Sequence, residues 1–598
     1  SLLTIEYDIE DGMPESTDVF KLNPTSTEIL AKIIEKKHPN INQLNSQTIA
    51  AAANGNYRLG LAIASNIQQT ENFALLTDKQ LFERLFYQAG HRNDDLYKIA
   101  QSFALVYSFN IEDSEQDASE IDYLAQIAKI DTDDAIDAIE TLKQKDIVQQ
   151  RGPWRAILPH ALANHLAQKF IQTKLRNQLN KIIISMPERL QRSCIKRLSY
   201  FHHLPEAQAL VKDWTQPQGW LGDKLLNHTL STQELDYLRL LTPLAATEIL
   251  ALLQEKFQQN KSFFSRKNNT QFIAYCHLLH RLAYEEAHFK SAIELLVSFS
   301  EDENPDENNN SIHDLIASLF HMYFSQSLAT LQTKQAILRH LLSQPKNQQL
   351  LSIIVKKALD FNHGGIRYHN EEDGVTEIYG YQPATWDELW QWVDFLLSIL
   401  NELDIQNLPH AREIFSFNLK DIIWTCGKTD IAAKYLQLFH QRKFFTEAYY
   451  RLNDIIKFNQ EQLTNEAPKI LIEIQQLCTS LSPTQTDLGG LIATYIAISE
   501  HDYYRFKHTL KDKIGREIKF FDTYENLFSH IEAKLHNFEA VHPHFEALVN
   551  TPERSFDFQI QKLGLICAAS FENKDQVIDL FEQTPLPAKP YAPSCLIG

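Results

Sequence analysis

Residues 132–158 have the sequence TDDAIDAIETLKQKDIVQQRGPWRAIL, and this stretch decides the fold of the first third of the protein. In 132–145 the apolar residues recur at helical spacing. They are Ala135, Ile136, Ile139 and Leu142. The β-branched run at 147–150, the Arg-Gly-Pro turn and the apolar run at 154–158 predict a strand, a turn and a second strand.

The residues before this stretch extend the pattern. Apolar spacing predicts helices over about 78–89, 93–107 and 118–129. Helix, helix and then a two-stranded ribbon is typical of a winged helix, a variant of the helix-turn-helix. We therefore expect a winged-helix domain over residues 76–165.

The N-terminal residues predict two further pieces. Residues 3–7 (LTIEY) predict one short strand, and a lone strand leaves its edges unpaired. It is therefore expected to be the last strand of a sheet whose other strands are missing, with 1–20 as remnant strand and linker. Residues 25–70 predict three short helices, which define a small helical unit over 21–75.

Residues 166–598 predict an array of helical hairpins. A small-residue helix, a turn, an aromatic residue and a second apolar run recur near 282–293, 431–448 and 568–578. This theme is similar to a degenerate tetratricopeptide repeat. Such hairpins bury their apolar faces only by stacking, so we expect an α-solenoid and a mainly α fold.

Composition limits the classes of function. The protein has 598 residues, only 17 glycines and a net charge of −19, which disfavours nucleic-acid binding through the overall field. Its six cysteines are scattered, which favours a reducing cytoplasm over a disulfide framework. The sequence has no stretch of about 18 unbroken apolar residues, so no membrane helix is expected.

Two charged segments bear on possible partners. The helix at 131–145, which would be the recognition helix, has a net charge of −3, so docking it in a DNA groove would be repulsive. No direct contact with nucleic acid is expected, and the winged helix is predicted to be a packing module. Residues 169–197 have a net charge of +7, which fits either a solvated helix face or a docking surface for an acidic partner domain.

Signals for catalysis and metal binding are incomplete. Gly427-Lys428-Thr429 resembles the end of a P-loop, but Ile422 stands where the motif needs glycine. The sequence has no Walker A or Walker B motif, so no catalytic residue is predicted and enzymatic activity stays uncertain. Cys276-His277-His280 and His542-His544 each lack further ligands at metal-site spacing, so no metal site is predicted.

An aromatic cluster near residue 380 is the candidate surface for binding a target. Thr385 and Glu388 predict a capping box at the start of the helix that follows. Amphipathic aromatics beside a long loop are typical of binding hot spots, but they also pin loops to cores. The candidates are Tyr379, Tyr381, Trp386, Trp390 and Trp392.

The order of these units, with three segments, resembles the C-terminal portion of a bacterial antiviral STAND NTPase, an Avs-type relative of NLR immune receptors. Residues 53–62 (ANGNYRLGLA) resemble the GNxR-type sensor-2 segment of the lid. Residues 157–163 (ILPHALA) stand where such families end the winged helix with a nucleotide-sensing histidine. Residues 319–342 and 360–395 resemble the repeat portion of these proteins.

The resemblance implies specific roles. The unit at 21–75 would be the lid, with Asn56 and Arg58 as nucleotide-sensing residues and Arg58 reaching the terminal phosphates of ATP. His160 would contact the β-phosphate of ADP, although a histidine satisfied within the core is the alternative. ATP or ADP with Mg would be bound only together with the missing NTPase core.

The resemblance also implies partners. The repeats would bind a foreign phage protein, and the full-length protein would self-associate and activate a separate N-terminal effector, with no membrane involved. The alternative is a tetratricopeptide-like scaffold or a STAND-like transcription regulator. The sequence identifies neither the target, nor the effector, nor the oligomer size.

Overall fold

The computed structural model describes residues 25–482, except for 40, 42, 54–56, 66–82, 84, 89–90, 113–118, 159, 304–310, 324, 362–379 and 409. Described residues are mainly helical, which confirms the predicted fold class at that level. They fall into two compact units. Unit 1 runs to Ile316 and adds 327–329 and Gly380, and unit 2 holds 317–326, 330–361 and 381–482. The predicted strand at 3–7 and the repeats beyond 482 lie outside the described residues.

Unit 1 begins with three helices, as predicted for 25–70. They are α1 (Thr27–Lys37), α2 (Gln43–Ala52) and α3 (Tyr57–Ser65). The Ser26 hydroxyl caps α1 by accepting from the Ile29 amide at 3.3 Å. Leu30 and Ile34 are buried on one face of α1, and Gly60 of α3 lies against Leu30 so closely that an added Cβ would approach its side chain to 3.2 Å.

A three-stranded antiparallel sheet follows. The elements here are β1 (Tyr87–Gln88), β2 (His91–Arg92), α4 (Asp94–Phe103), β3 (Phe109–Asn110), α5 (Glu120–Ala128), α6 (Thr132–Gln144), β4 (Val148–Arg151) and β5 (Trp154–Ile157). The strand order of the sheet is β3-β5-β4. The predicted hairpin is confirmed, with Arg151 opposite Trp154 and Gly152 at a positive φ of 53°. Two expectations need correction. The helix predicted over 78–89 lies mostly outside the described residues, and Tyr87–Gln88 within it form β1 instead. The helix predicted over 93–107 ends at Phe103, and Phe109–Asn110 then form β3.

The rest of unit 1 is helical. Its elements are α7 (His160–Thr173), α8 (Arg176–Ile184), α9 (Glu188–Ser199), α10 (Pro205–Trp214), α11 (Trp220–Leu226), α12 (Thr232–Gln259), α13 (Phe272–Leu282), α14 (Glu286–Ser300) and α15 (Ile312–Ser318), which ends just past the unit boundary. A full capping box starts α12, because Ser231 and Glu234 each accept the other's backbone amide. The long helix α12 bends at Ala245, two residues after Pro243, since proline cannot continue the hydrogen-bond ladder.

Unit 2 packs helices around an ion cluster. Its elements are α16 (Leu331–Leu342), α17 (Gln348–Ala358), α18 (Trp386–Ile405), α19 (His410–Lys420), a π-helical turn (Asp421–Thr425), α20 (Thr429–Arg442), α21 (Thr446–Glu466) and α22 (Pro468–Leu481). Asp404 is 8% exposed and accepts from Arg412 at 2.7 and 3.1 Å and from Arg442 at 2.8 Å. Both guanidinium groups of this cluster therefore make charge-assisted hydrogen bonds, which join α18, α19 and α20.

One buried cation in unit 2 predicts a pH dependence. Lys334 of α16 is 1% exposed, and burial lowers the pKa of its ammonium to about 7. The folded protein therefore releases this proton above pH 7, whereas the unfolded protein holds it to about pH 10.4, so stability rises with pH across that window. Lys334→Met is expected to raise the free energy of unfolding at pH 7 by on the order of a few kcal/mol, and to flatten the rise between pH 7 and 9.

Urea titrations at pH 7, 8 and 9 measure this effect. Lys443→Met removes an exposed lysine of the same unit and serves as the control. Parallel stability curves for Lys334→Met and the unmodified protein would contradict the expected role of Lys334.

Candidate functional site

His160 lies at a junction of three elements. It is the first residue of α7, it follows β5, and its ring is half-buried. Its Nε2 atom lies 2.8 Å from the Tyr107 hydroxyl, and the two rings stack with their centroids 4.6 Å apart. Tyr107 stands in the segment between α4 and β3. The histidine is thus oriented by a hydrogen bond and a ring contact from a residue 53 positions away.

Two cations of α9 lie near the Tyr107 ring. The Lys196 ammonium lies 4.2 Å from the centre of the Tyr107 ring, and the Arg197 guanidinium lies 5.1 Å from it. Arg197 is only 1% exposed, and it donates to Asn164 Oδ1 of α7 at 2.6 Å. Burial lowers the pKa of Arg197 to about 10, opposed by Tyr107, Tyr200 and Cys194. Arg197 therefore stays charged at neutral pH, and the junction has positive character.

The hydroxyl of Ser193 fixes α9 against the segment that holds Tyr107. Ser193 Oγ accepts from the amides of Tyr107 at 2.9 Å and Ser108 at 3.0 Å, and it donates to the Ser108 carbonyl at 3.0 Å. All these atoms are buried, so the loss of these hydrogen bonds would lower the free energy of unfolding. The neighbouring Cys194 is buried too, and burial raises the pKa of its thiol to about 12, which makes it a poor nucleophile.

Three arginines of the basic stretch 169–197 pair with acids of the protein itself. Arg189 pairs with Glu120 of α5 and donates to the Ser108 carbonyl at 3.0 Å. Arg192 pairs with Asp236 at 3.0 Å, and Arg176 pairs with Asp213 at 3.3 Å. Of the two interpretations of this stretch, a solvated helix face or a docking surface for an acidic partner domain, the second is weakened at these three arginines, which bind acids of the same polypeptide.

The other two nucleotide-sensing candidates are not placed. Asn56 lies outside the described residues. Arg58 is the second residue of α3, as the sequence predicted, but its side chain is outside the described part of the structure. Of the three, His160 alone is described with its contacts.

The exposed side of α6 bears on nucleic-acid binding. Asp133, Asp134 and Asp137 are all exposed along it. These carboxylates would face the phosphates of any duplex that this helix entered, so the geometry is unfavourable for DNA.

A second candidate surface forms at the start of α18. Trp386 is 58% exposed and stacks on Trp390, with ring centroids 6.2 Å apart. Trp390 Nε1 donates to the Cys426 carbonyl at 3.1 Å, and the Lys428 ammonium lies 4.0 Å from the centre of the Trp390 ring. In the Gly427-Lys428-Thr429 sequence, the glycine takes a positive φ of 63° in the turn, and the lysine completes this cation–π contact.

Three other aromatic candidates have different positions. Trp392 is 0% exposed and stacks on Phe395 in the core, so its place among the target-binding candidates is corrected. Tyr381 donates to Glu388 at 3.3 Å, which pins it to α18, and Tyr379 lies outside the described residues. The Thr385 hydroxyl caps the helix by accepting from the Glu388 amide at 3.3 Å. The Glu388 carboxylate, however, accepts from the Ala384 amide at 2.8 Å and not from the Thr385 amide, as the predicted capping box requires.

Searches against protein-family models, curated proteins and solved structures found no match to this sequence. None of the helices described between residues 25 and 482 combines the length and the apolar character needed to cross a bilayer.

The buried hydroxyl of Ser193 predicts a large stability effect. Ser193→Ala removes the acceptor that the Tyr107 and Ser108 amides share, and Tyr107 keeps a 3.4 Å contact to the Ser193 carbonyl. We expect a loss of about 2–3 kcal/mol in the free energy of unfolding. The control is Ser199→Ala on the same helix, because its hydroxyl donates to the Lys196 carbonyl within that helix. Equal losses for the two variants, measured by urea denaturation, would argue against Ser193 as the anchor.

Proposed function

We propose that this protein is the lid, winged-helix and helical-repeat part of a cytoplasmic antiviral STAND ATPase. The observation that carries the proposal is the setting of His160, at the start of a helix and stacked on Tyr107, whose ring lies near two cations. The order of the elements supports the assignment. Three short helices come first, α5, α6 and the hairpin follow, and the described residues after the hairpin are helical. In this proposal the helices after α7 stack as a solenoid that senses the target.

The chemistry of the junction suits a phosphate. The amides at a helix N-terminus and a nearby imidazole can donate to an anion, and Lys196 and Arg197 raise the local positive potential. An ADP phosphate would take the hydrogen bond that His160 now shares with Tyr107. A separate P-loop core would hold the rest of the nucleotide and its Mg. That core would also supply the phosphoryl chemistry.

The proposed switch has two arrangements. With ADP bound, His160 ties the winged helix to the nucleotide and keeps the protein at rest. A phage protein that binds the repeats favours the second arrangement, in which nucleotide exchange permits self-association and activation of an effector. The fixed packing of α9 on the Tyr107 segment would let a movement of the repeats reach His160.

The nucleotide part of the proposal is tested on the native full-length protein. Purified from its source cell, it is expected to hold ADP, and His160→Ala is expected to lose about tenfold or more in ADP retention, as one charge-assisted hydrogen bond would give. His203→Ala, at an exposed histidine of the same unit, is the control. A native protein of 69.1 kDa that holds no ADP would favour the tetratricopeptide-like scaffold instead.

The sensing part is tested by co-expression with phage proteins one at a time. Trp386→Ala is expected to weaken capture of the recognised protein at least about tenfold, because an exposed, stacked tryptophan is a typical hot spot. Ile405→Ala is the matched control, since Ile405 is 51% exposed at the other end of the same helix. Capture that survives Trp386→Ala, or fails equally in both variants, would remove the aromatic surface from the proposal.

A further inference from the structure

Unit 2 contains an open cleft of about 480 Å³ that none of the predicted roles uses. It lies between the end of α19, the π-helical turn, α21 and the residues after α17. A volume of this size is within the usual range for a bound ligand or a short peptide segment. The lining residues that matter here are Asp360, Phe417, Lys420, Asp421, Trp424 and Arg451.

Two helices depart from α geometry at this cleft. After Lys420 the backbone makes a π-helical turn, in which the Cys426 amide donates to the Asp421 carbonyl five residues earlier at 2.8 Å. Across the cleft, α21 breaks at Asn459, which has φ −126° and ψ 17°. The Lys420 ammonium donates to Asn459 Oδ1 at 3.2 Å and so joins the two irregular points. π-Helical turns within α-helices occur frequently at functional sites.

The cleft has two cations without a carboxylate partner among the described residues. Lys420 contacts the Asn459 amide and the Trp424 ring. Arg451 donates weakly to the Phe417 carbonyl at 3.4 Å, and its Nε atom is buried with no hydrogen-bond partner. By contrast, Arg412 and Arg442 of the same unit are both matched by Asp404. The cleft can therefore accept a carboxylate from elsewhere.

The apolar part of the cleft is also open. Phe417 is 62% exposed although it is a large apolar side chain, and its carbonyl and ring both face Arg451. Trp424 is partly buried, and its ring centre lies 5.2 Å from the Lys420 ammonium. Tryptophan and arginine are over-represented among the hot spots of protein interfaces.

The acids in the lining limit the charge of the ligand. Asp360 and Asp421 line the cleft together with Lys420 and Arg451, so the formal charge of the lining is zero, although neither aspartate is ion-paired with either cation. A polyphosphate would meet two carboxylates at close range, which is repulsive. A ligand with one carboxylate and an apolar neighbour matches the lining better.

We propose that this cleft binds a peptide segment of a partner protein in which one carboxylate adjoins an aromatic or aliphatic side chain. The carboxylate pairs with Lys420 and Arg451, and the apolar side chain packs on Trp424 and Phe417. The carboxylate comes either from an acidic side chain or from the C-terminus of the partner. The proposal is argued from the cleft alone and does not depend on the antiviral role.

Fluorescence polarisation with labelled peptides on the full-length polypeptide tests it. The first probe is an amidated pentapeptide, Gly-Phe-Glu-Phe-Gly, with the fluorophore on its N-terminal amine, and its matched control has Gln in place of Glu. The second probe, Gly-Gly-Phe-Phe with a free C-terminal carboxylate, is compared with its C-terminal amide. We expect at least one acidic probe to bind with a Kd below about 1 mM and its neutral control to bind about tenfold more weakly. The acidic probe that binds identifies the source of the carboxylate.

Variants locate the binding. Lys420→Met and Arg451→Met are each expected to weaken the acidic probe about tenfold, whereas Lys469→Met, at an exposed lysine on α22, leaves it unchanged. If Arg451→Met lowers the melting temperature, Lys420→Met decides, because its ammonium contacts the Asn459 amide and the Trp424 ring rather than a buried charge.

Four outcomes overturn the proposal. They are no binding by either acidic probe, equal binding by the acidic and neutral peptides, binding that Lys420→Met leaves unchanged, and tighter binding of adenosine monophosphate than of the acidic peptides. The last outcome would assign the cleft to a nucleotide instead. None of these results bears on ADP retention at His160, so the two proposals fail separately.

Discussion

The packing of α9 on the segment between α4 and β3 is the constraint on which the junction at His160 depends. Ser193 satisfies two buried amides and a buried carbonyl there. Arg197 reaches across to Asn164 of α7 and lies beside Tyr107. Because buried donors are costly to leave unpaired, α7 and α9 cannot shift independently of the Tyr107 segment. The orientation of His160 follows from that coupling.

In unit 2 some cations are paired with a carboxylate and others are not. Asp404 gathers Arg412 and Arg442 into a cluster in which each guanidinium has a carboxylate acceptor, and this cluster serves packing. Lys420 of α19 and Arg451 of α21 face a cleft, and neither has a carboxylate partner among the described residues. Cations that are not ion-paired within the fold are available to a carboxylate of a partner.

Local chemistry in the sequence predicted much of the secondary structure. The hairpin at 148–157 was predictable because two β-branched or aromatic runs flank an Arg-Gly-Pro turn, and Gly152 supplies the positive φ. The third strand, β3, was missed because two residues, Phe109 and Asn110, are too few to show the alternation of apolar and polar residues that marks a strand. It is defined only by its pairing with Arg155 and Trp154. Tyr107 was missed for a similar reason, since its contact with His160 spans 53 residues.

The sequence by itself determined that the protein is mainly helical, where several helices start, and which segments are acidic or basic. These properties depend on residues within a few positions of one another, such as caps, turns and apolar periods. Only the tertiary structure decided that Trp392 is core while Trp386 is exposed, although both belong to one helix and one aromatic run. It also decided that Arg189 and Arg192 bind acids of the same polypeptide, whereas Arg451 meets no carboxylate in the part of the protein described. Burial and charge pairing depend on which distant segment packs against a residue. The neighbouring residues in the sequence do not determine which segment that is.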